Sequence, residues 1–355
     1  MVARVMILAG GTGGHIFPAL AVAEELRSRG CELCWMGTSA GMESRLVPQA
    51  GIPIEWLAVS GFRGKGLRAK LLAPAKLLLA CWQAGRILRR FKPDVVLGMG
   101  GFVAGPGGLM AKVLGIPLVI HEQNRIPGTT NRLLVKWAKK TLEAFPGSFA
   151  AKWGAVCVGN PLRRAIVDAM AAAKPESQGV PRLLVVGGSL GAKALNEIVP
   201  QAVALVGGNI EVLHQTGEAM RAETEALYAK LGVEAEVVAF IQDMAEAYRW
   251  ADLAVCRAGA MTLSELASAG LPAVLVPFPY AIDDHQTANA RFFSEAGAAK
   301  LIPQTQLTPE FLAEELKALI YQRGRISDMS LNVTGLAKLD AAEKVADICL
   351  SEARA

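Results

Sequence analysis

Arg182-Leu183-Leu184-Val185-Val186-Gly187-Gly188-Ser189-Leu190-Gly191-Ala192 repeats, near the middle of the chain, the pattern that opens it: Arg4-Val5-Met6-Ile7-Leu8-Ala9-Gly10-Gly11-Thr12-Gly13-Gly14. In both copies an apolar run of buried-strand length ends in a glycine turn. Two such starts, each heading a series of strand-then-helix units, predict an α/β protein of two Rossmann-like domains facing one another across a cleft. The polar stretch at residues 174–181 puts the crossing between them near residues 160 to 182. The expected domains are therefore residues 1–160 and 161–337. A final helix, residues 338–355, is free to pack on either, with Leu336, Leu339, Ala342, Val345 and Cys349 along one side.

Working outward from the opening copy, a helix is predicted from about Pro18 to Arg29, since proline is tolerated in a first turn. The turn is not the dinucleotide fingerprint, because Ile16 stands where the third glycine belongs and Met36-Gly37-Thr38 ends the second strand without an acid. It is not a Walker A loop either, since no Gly-Lys-Ser/Thr occurs. Later units read the same way. Residues 93–98 lead into Gly100-Gly101-Phe102-Val103-Ala104-Gly105-Pro106-Gly107-Gly108, a second glycine-rich turn before a helix. Residues 116–120 deliver His121-Glu122-Gln123-Asn124 at a strand's carboxyl end, and residues 155–158 run into Gly159-Asn160-Pro161-Leu162-Arg163.

In the second series, residues 252–256 form a strand that meets Arg257-Ala258-Gly259, and Leu263, Leu266 and Ala267 then recur at helical spacing until Gly270. A small-residue turn feeding a helix offers unpaired N–H groups and a positive dipole end to a phosphate or pyrophosphate. Glu265 lies one turn in, suited to ribose hydroxyls; the plain alternative is an ordinary βα connection with an exposed acid. Residues 273–276 form the next strand, and Asp283-Asp284-His285-Gln286 follows its carboxyl end, where ligands bind in open α/β sheets.

With 355 residues the chain suits two domains, and no apolar run approaches the roughly 20 residues that span a bilayer. Its opening residues read as a strand rather than a signal peptide, which places it in the cytoplasm. Cys31 and Cys34 form a C-x-x-C on a strand-like segment, where residues three apart face opposite ways, so a metal or redox pair is not expected. Residues 1–160 hold 20 Lys+Arg against 8 Asp+Glu, whereas residues 161–355 hold 17 against 24. Only the first half is expected to face something anionic.

Taken in order, Gly10 to His15, Gly98 to Phe102, His121 to Asn124, Gly159 to Pro161, Gly187 to Ala192 and Arg257 to Gly270 resemble the motifs of GT-B glycosyltransferases, and specifically the MurG family of peptidoglycan synthesis. The resemblance covers nearly the whole chain. It implies an inverting transfer of N-acetylglucosamine from UDP-GlcNAc to the 4-hydroxyl of the muramoyl sugar on lipid I, giving lipid II. It implies that Ser189, Ile241 and the turn Ala260, Met261, Thr262, Leu263, Ser264, Glu265 surround the UDP, with Ile241 meeting the uracil through its backbone and Glu265 the ribose. Arg163 is implied near the phosphates, Asn124, His285 and Gln286 at the sugar, and Thr12, Gly13, Gly14 and His15 on the acceptor side of the same site. Phe102 stands where relatives often carry tyrosine, and His285 where some carry glutamine.

The residues are compatible with that chemistry. Helix N-termini and Arg163 stabilise a leaving pyrophosphate without a metal, and no cofactor is expected; Asp283-Asp284 is the one acidic pair that keeps a metal in view. His15 is the candidate base, because histidine titrates near neutral pH. A purely structural role for His15 is the alternative, and His121 and Glu122 are weaker candidates. Other readings are a transferase with another lipid acceptor and a non-catalytic sugar-nucleotide sensor. Between Glu55 and Asp94 there is no acid, but Arg63, Lys65, Arg68, Lys70, Lys76, Arg86, Arg89, Arg90 and Lys92 surround Leu71, Leu72, Leu77, Leu78, Leu79 and Trp82. This composition predicts peripheral binding to an anionic membrane surface, on its cytoplasmic face and beside other cell-wall synthesis proteins, through Leu72, Leu79 and Trp82. Nucleic acid is not the expected partner.

Overall fold

The computed structural model describes residues 2–58, 73–170 and 179–353. The chain divides into two compact units, Met1–Arg163 with Lys338–Ala355, and Arg164–Ala337. Most of the polar crossing segment expected at residues 174–181 lies outside the described residues, as does Leu72 with the basic residues Arg63, Lys65, Arg68 and Lys70.

Seven parallel strands form the first sheet: β1 (Arg4–Ala9), β2 (Glu32–Gly37), β3 (Ile54–Trp56), β4 (Val95–Gly100), β5 (Leu118–Glu122), β6 (Lys140–Glu143) and β7 (Val156–Cys157), in the order β3-β2-β1-β4-β5-β6-β7. Alternate residues of β1 enter opposite cores. Val5, Ile7 and Ala9 pack with Ala19, Val22 and Leu26 of the helix Gly13–Ser28, whereas Met6 and Leu8 pack with Ala80, Ala84 and Leu88 of the helix Ala73–Phe91. A strand covered on both faces must be apolar throughout, which is why these runs show no polar alternation. Cys31 and Cys34 belong to these two different cores, on opposite faces of the sheet, and burial pushes the Cys34 thiol up to about 11.

The second sheet has six parallel strands: β8 (Arg182–Val186), β9 (Glu211–Gln215), β10 (Glu236–Val238), β11 (Leu253–Cys256), β12 (Ala273–Leu275) and β13 (Ala299–Leu301), in the order β10-β9-β8-β11-β12-β13. Strand order reverses between β1 and β4 in one unit and between β8 and β11 in the other. In such sheets the ligand crevice opens at the carboxyl ends of the strands at this reversal. The two glycine turns of the opening comparison follow β1 and β8, so each stands at its unit's crevice.

Three expectations need correction. The first helix begins at Gly13, and Pro18 lies inside it; the glycines continue directly into helical backbone, and Pro18 forgoes one bond to Gly14. Gly105, Pro106, Gly107 and Gly108 are not a turn but part of the helix Ala104–Val113. A Cβ at Gly107 would stand 2.7 Å from Leu8, and one at Gly108 2.8 Å from Leu134, so these glycines serve close packing of helix on sheet. Finally, Leu336 ends the helix Arg323–Gly335 and Leu339 is exposed. The last helix is Ala341–Glu352, and its buried stripe is Ala341, Val345, Ala346 and Cys349. It packs in the first unit against the helix Gly13–Ser28, where Arg29 pairs with Asp347.

Candidate active site residues in each unit

In the second unit the turn after β8 is fixed by backbone contacts. Gly191 N–H donates to Gly188 O at 3.0 Å, and Gly191 has a φ of +75° with the carbonyl oxygen of Thr216 only 1.7 Å from where a Cβ would sit. No side chain fits there, and the turn presents Ser189 and Leu190 to solvent. Beneath it lies Gln215, a buried side chain at the end of β9 that sequence reasoning passed over. Its Nε2 donates to Gly188 O at 3.0 Å and its Oε1 accepts the Ile241 N–H at 2.9 Å. One buried amide thus joins the Ser189 turn to Ile241.

The helix Ala260–Ala269 starts after Gly259, which has no side chain to cap it, and its first N–H groups lack intrahelical partners by geometry. Gly270 closes it in the left-handed conformation at φ +59°. The turn ahead of it is held from both sides. Fully buried Asn289 donates to Ala258 O at 3.2 Å, while Arg257 donates to the carbonyls of Val276 and Pro277 at 3.1 Å each and to Gln304 Oε1 at 2.7 Å. Burial lowers the Arg257 pKa. Glu265, half-buried, accepts a 2.8 Å hydrogen bond from the hydroxyl of buried Tyr248, which the helix Met244–Trp250 supplies.

After β12 the chain passes through Asp283 and Asp284 at φ of 53° and 52°. Two consecutive non-glycine residues in the left-handed region store strain, a feature that concentrates at functional loops. They launch the helix His285–Glu295. His285 Nδ1 lies 2.7 Å from Ile282 O; a carbonyl only accepts, so Nδ1 carries the proton and Nε2 is the open acceptor. Gln286 Oε1 accepts the Phe278 N–H at 2.9 Å, leaving its amide N–H groups. Among the described residues no group of three or more His, Cys, Asp or Glu side chains is placed to hold a metal.

In the first unit the glycine loop rests on Glu43, a fully buried carboxylate missed in the sequence. It accepts from Gly11 N at 3.0 Å, Thr38 N at 2.9 Å and Thr38 Oγ1 at 2.7 Å. Thr12 precedes the helix, and Gly13, Gly14 and His15 form its first turn. Phe17 lies against Gly13, and Arg163 stacks over the Phe17 ring at 5.4 Å, which brings the expected phosphate cation next to the glycine turn. The His15 ring packs on Gly100, where a Cβ would fall 2.9 Å from it, and its Nδ1 is 2.9 Å from Gln123 Oε1. Gln123 Nε2 is in turn 3.1 Å from His121 Nδ1, and His121 Nε2 is 2.8 Å from Gly159 O. His121 is fully buried, which lowers its pKa to about 4. Glu122 is spent on structure: Asn124 N and Gly128 N donate to it at 3.0 Å each and Asn131 Nδ2 at 2.9 Å, so it fixes the loop that presents Asn124.

The helix Ala73–Phe91 buries Ala80, Ala84, Ile87 and Leu88 and exposes Leu77, Leu78, Leu79 and Trp82, with Arg86 over the Trp82 ring at 5.4 Å. No described helix is long and apolar enough to cross a membrane.

Residues 5–143 match the glycosyltransferase family 28 N-terminal domain and residues 182–351 the glycosyltransferase family 28 C-terminal domain. The chain is 64% identical to the UDP-N-acetylglucosamine--N-acetylmuramyl-(pentapeptide) pyrophosphoryl-undecaprenol N-acetylglucosamine transferase of Methylococcus capsulatus, covering 100% of both chains. It is 50% identical to the protein of the same name from Shewanella frigidimarina, over 99% of this chain and 97% of that one. The crystal structure of Acinetobacter baumannii MurG superposes with a TM-score of 0.85 at 42% identity, over 98% of this chain and 99% of that one.

Proposed function

The chain belongs to glycosyltransferase family 28, and from that membership we propose that it transfers N-acetylglucosamine from UDP-GlcNAc to lipid I, forming lipid II for peptidoglycan synthesis. The end-to-end identity with the Methylococcus enzyme carries this reading. The geometry of the two crevices supports it residue by residue.

On the donor side, the Ile241 carbonyl receives the uracil N–H, with Gln215 holding the Ile241 amide and the Ser189 turn in register. The pyrophosphate sits on the first turn of the helix Ala260–Ala269, against backbone groups from Ala260 to Ser264. Glu265 accepts from the ribose hydroxyls, one of its oxygens already fixed by Tyr248. The open Nε2 of His285, the amide N–H groups of Gln286 and the side chain of Asn124 suit sugar hydroxyls; Arg163 serves the phosphates, and Thr12, Gly13 and Gly14 offer backbone to the sugar nucleotide. In the reaction the acceptor 4-hydroxyl oxygen bonds to the anomeric carbon while the bond to the β-phosphate oxygen breaks. The electron pair leaves on UDP, where the helix terminus stabilises the added charge, and the hydroxyl proton passes to His15 Nε2. One displacement of this kind inverts the anomeric centre.

The exposed Leu77–Leu78–Leu79–Trp82 face and its basic flank fit the anionic, cytoplasmic surface of the membrane that carries the polyprenyl acceptor. The decisive assay combines the purified chain, labelled UDP-GlcNAc and a lipid I analogue. A labelled lipid-linked disaccharide is expected. UDP binding without transfer would make the protein a sensor, and transfer to a different lipid in preference would move it to another acceptor class.

A further inference from the structure

Two main-chain carbonyls determine the proton positions in the polar chain behind His15. Gln123 Nε2 lies 3.3 Å from His121 O as well as 3.1 Å from His121 Nδ1. A carbonyl oxygen accepts only, so this end of the Gln123 side chain is its NH₂ group, and the end facing His15 is the oxygen. At the other end, Gly159 O can only accept from His121 Nε2. His121 therefore carries its proton on Nε2, and its Nδ1 accepts from Gln123. Burial that lowers the His121 pKa to about 4 keeps the ring in this neutral form. The one hydrogen left to place is on His15: Gln123 Oε1 needs a donor, and His15 Nδ1 at 2.9 Å supplies it.

We infer that Gln123 is a positioning residue for the transfer, locking His15 in the Nδ1–H tautomer so that Nε2 always presents its lone pair. The inference rests on the reading of His15 as the base. Gln123 is itself immobile: it is buried, and Asn160 Nδ2 donates to its main-chain oxygen at 3.2 Å. His15 Nε2 has no partner among the described residues, so the open nitrogen is the one a substrate hydroxyl can reach. The same Gln123 oxygen accepts the Nδ1–H after Nε2 has taken a proton, so the ring does not have to turn during the step. The other charged or titratable groups near this cluster are already engaged. Glu43 is bonded to Gly11 and Thr38, Glu122 to the loop at residues 124–131, and Arg163 is stacked on Phe17.

The test uses the full chain with histidine ring nitrogens labelled. There are four histidines, so His15→Ala identifies the His15 signals by their loss. Nitrogen-15 spectra are expected to show Nδ1–H for His15 in the wild type and loss of that single tautomer in Gln123→Met. Kinetically, Gln123→Met should lower kcat about 10²-fold, with KM for UDP-GlcNAc within about twofold of wild type. Gln123→Glu keeps an acceptor for Nδ1–H and adds a negative charge. It should raise the His15 pKa and move the acid limb of the kcat profile up by about one pH unit or more, because the base works only when unprotonated. A merely structural glutamine would change thermal stability in both variants but leave that limb in place. Should Gln123→Glu not fold, the tautomer and kcat of Gln123→Met decide. An Nε2–H signal for wild-type His15, or wild-type kcat in Gln123→Met, overturns the inference. Full activity in His15→Ala instead overturns the base assignment while leaving the tautomer measurement to stand on its own.

Discussion

Glu265, the proposed ribose ligand, shows how a neighbouring helix can fix one carboxylate. The sequence places it one turn inside a helix whose start faces the strand ends, and the fold adds Tyr248, whose buried hydroxyl holds one carboxylate oxygen at 2.8 Å. Glu265→Ala should weaken UDP binding by about 1.5 to 3 kcal/mol, the range for a hydrogen bond to a charged group. Tyr248→Phe keeps the carboxylate but removes this hydrogen bond to it, so a smaller loss of about 0.5 to 1.5 kcal/mol is expected. Calorimetric titration with UDP measures both; equal affinity in Glu265→Ala and wild type would remove the ribose assignment. The two residues also differ in how visible they are. Glu265 is legible as a candidate because its proposed role follows from local spacing. Tyr248 is not, since its hydroxyl matters only through a contact made by a neighbouring helix, and nothing in its own stretch marks it. His15 reads as the proposed base from its side-chain chemistry and its place in a glycine loop. Replacing it with alanine should lower kcat by roughly 10² to 10⁴ while UDP affinity stays near wild type; parallel loss of both would point to loop structure instead.

At the level of strands and turns, the glycine-rich crossings after β1 and β8 were readable because buried parallel strands leave unbroken apolar runs and the turns after them require glycine. What supports the turns was not. Gln215 and Glu43 are polar side chains whose partners, mostly main-chain groups, are brought near by sheet order, β9 beside β8 and β2 beside β1. The Gly105 to Gly108 run misled for a related reason: glycine marks close approach as well as turns, and here the close approach is helix against Leu8 and Leu134. Two buried histidines on strands add a pH dependence. His121 on β5 is lowered by burial to about 4, and His214 on β9 to about 3. His214 sits between Tyr228 Oη at 3.0 Å and Asn196 Oδ1 at 3.1 Å. An unfolded histidine titrates near about 6.5, so above that pH neither state binds the extra proton and the stability is fully present. As pH falls below it, the unfolded chain takes up protons that the folded rings refuse, and stability declines until the folded values are reached. Between pH 7 and pH 5 each ring should cost about 2 kcal/mol. In urea unfolding at those two pH values, His214→Gln should shrink the wild-type difference by that amount, and an unaltered difference would show that His214 is not a source of acid sensitivity.

For the molecule as a whole, the uneven charge along the chain bears on the proposed membrane contact. The first 160 residues carry 20 basic against 8 acidic side chains and the remainder 17 against 24, so an anionic surface attracts one half and repels the other. Charge alone would also suit nucleic acid; the helix Ala73–Phe91 favours the proposed lipid contact. Its Ala80, Ala84 and Leu88 are fully buried, yet Leu78 is 71% and Trp82 58% exposed on the opposite side. An apolar face left in water beside Arg86 and Arg89 is what an interfacial helix requires; on the proposed reading the leucines and tryptophan enter the headgroup boundary and these arginines face phosphates, while Arg90 pairs with Glu55. Each basic residue near such a surface contributes about 1 kcal/mol, screened by salt. Sedimentation with vesicles should show binding to anionic lipid that weakens as salt is raised. Leu79→Glu with Trp82→Glu alters exposed positions only, so the double variant should keep the wild-type melting temperature and UDP affinity while losing most of its vesicle binding. Equal sedimentation with neutral vesicles, or binding indifferent to both salt and the double substitution, would show that this helix face is not the membrane contact.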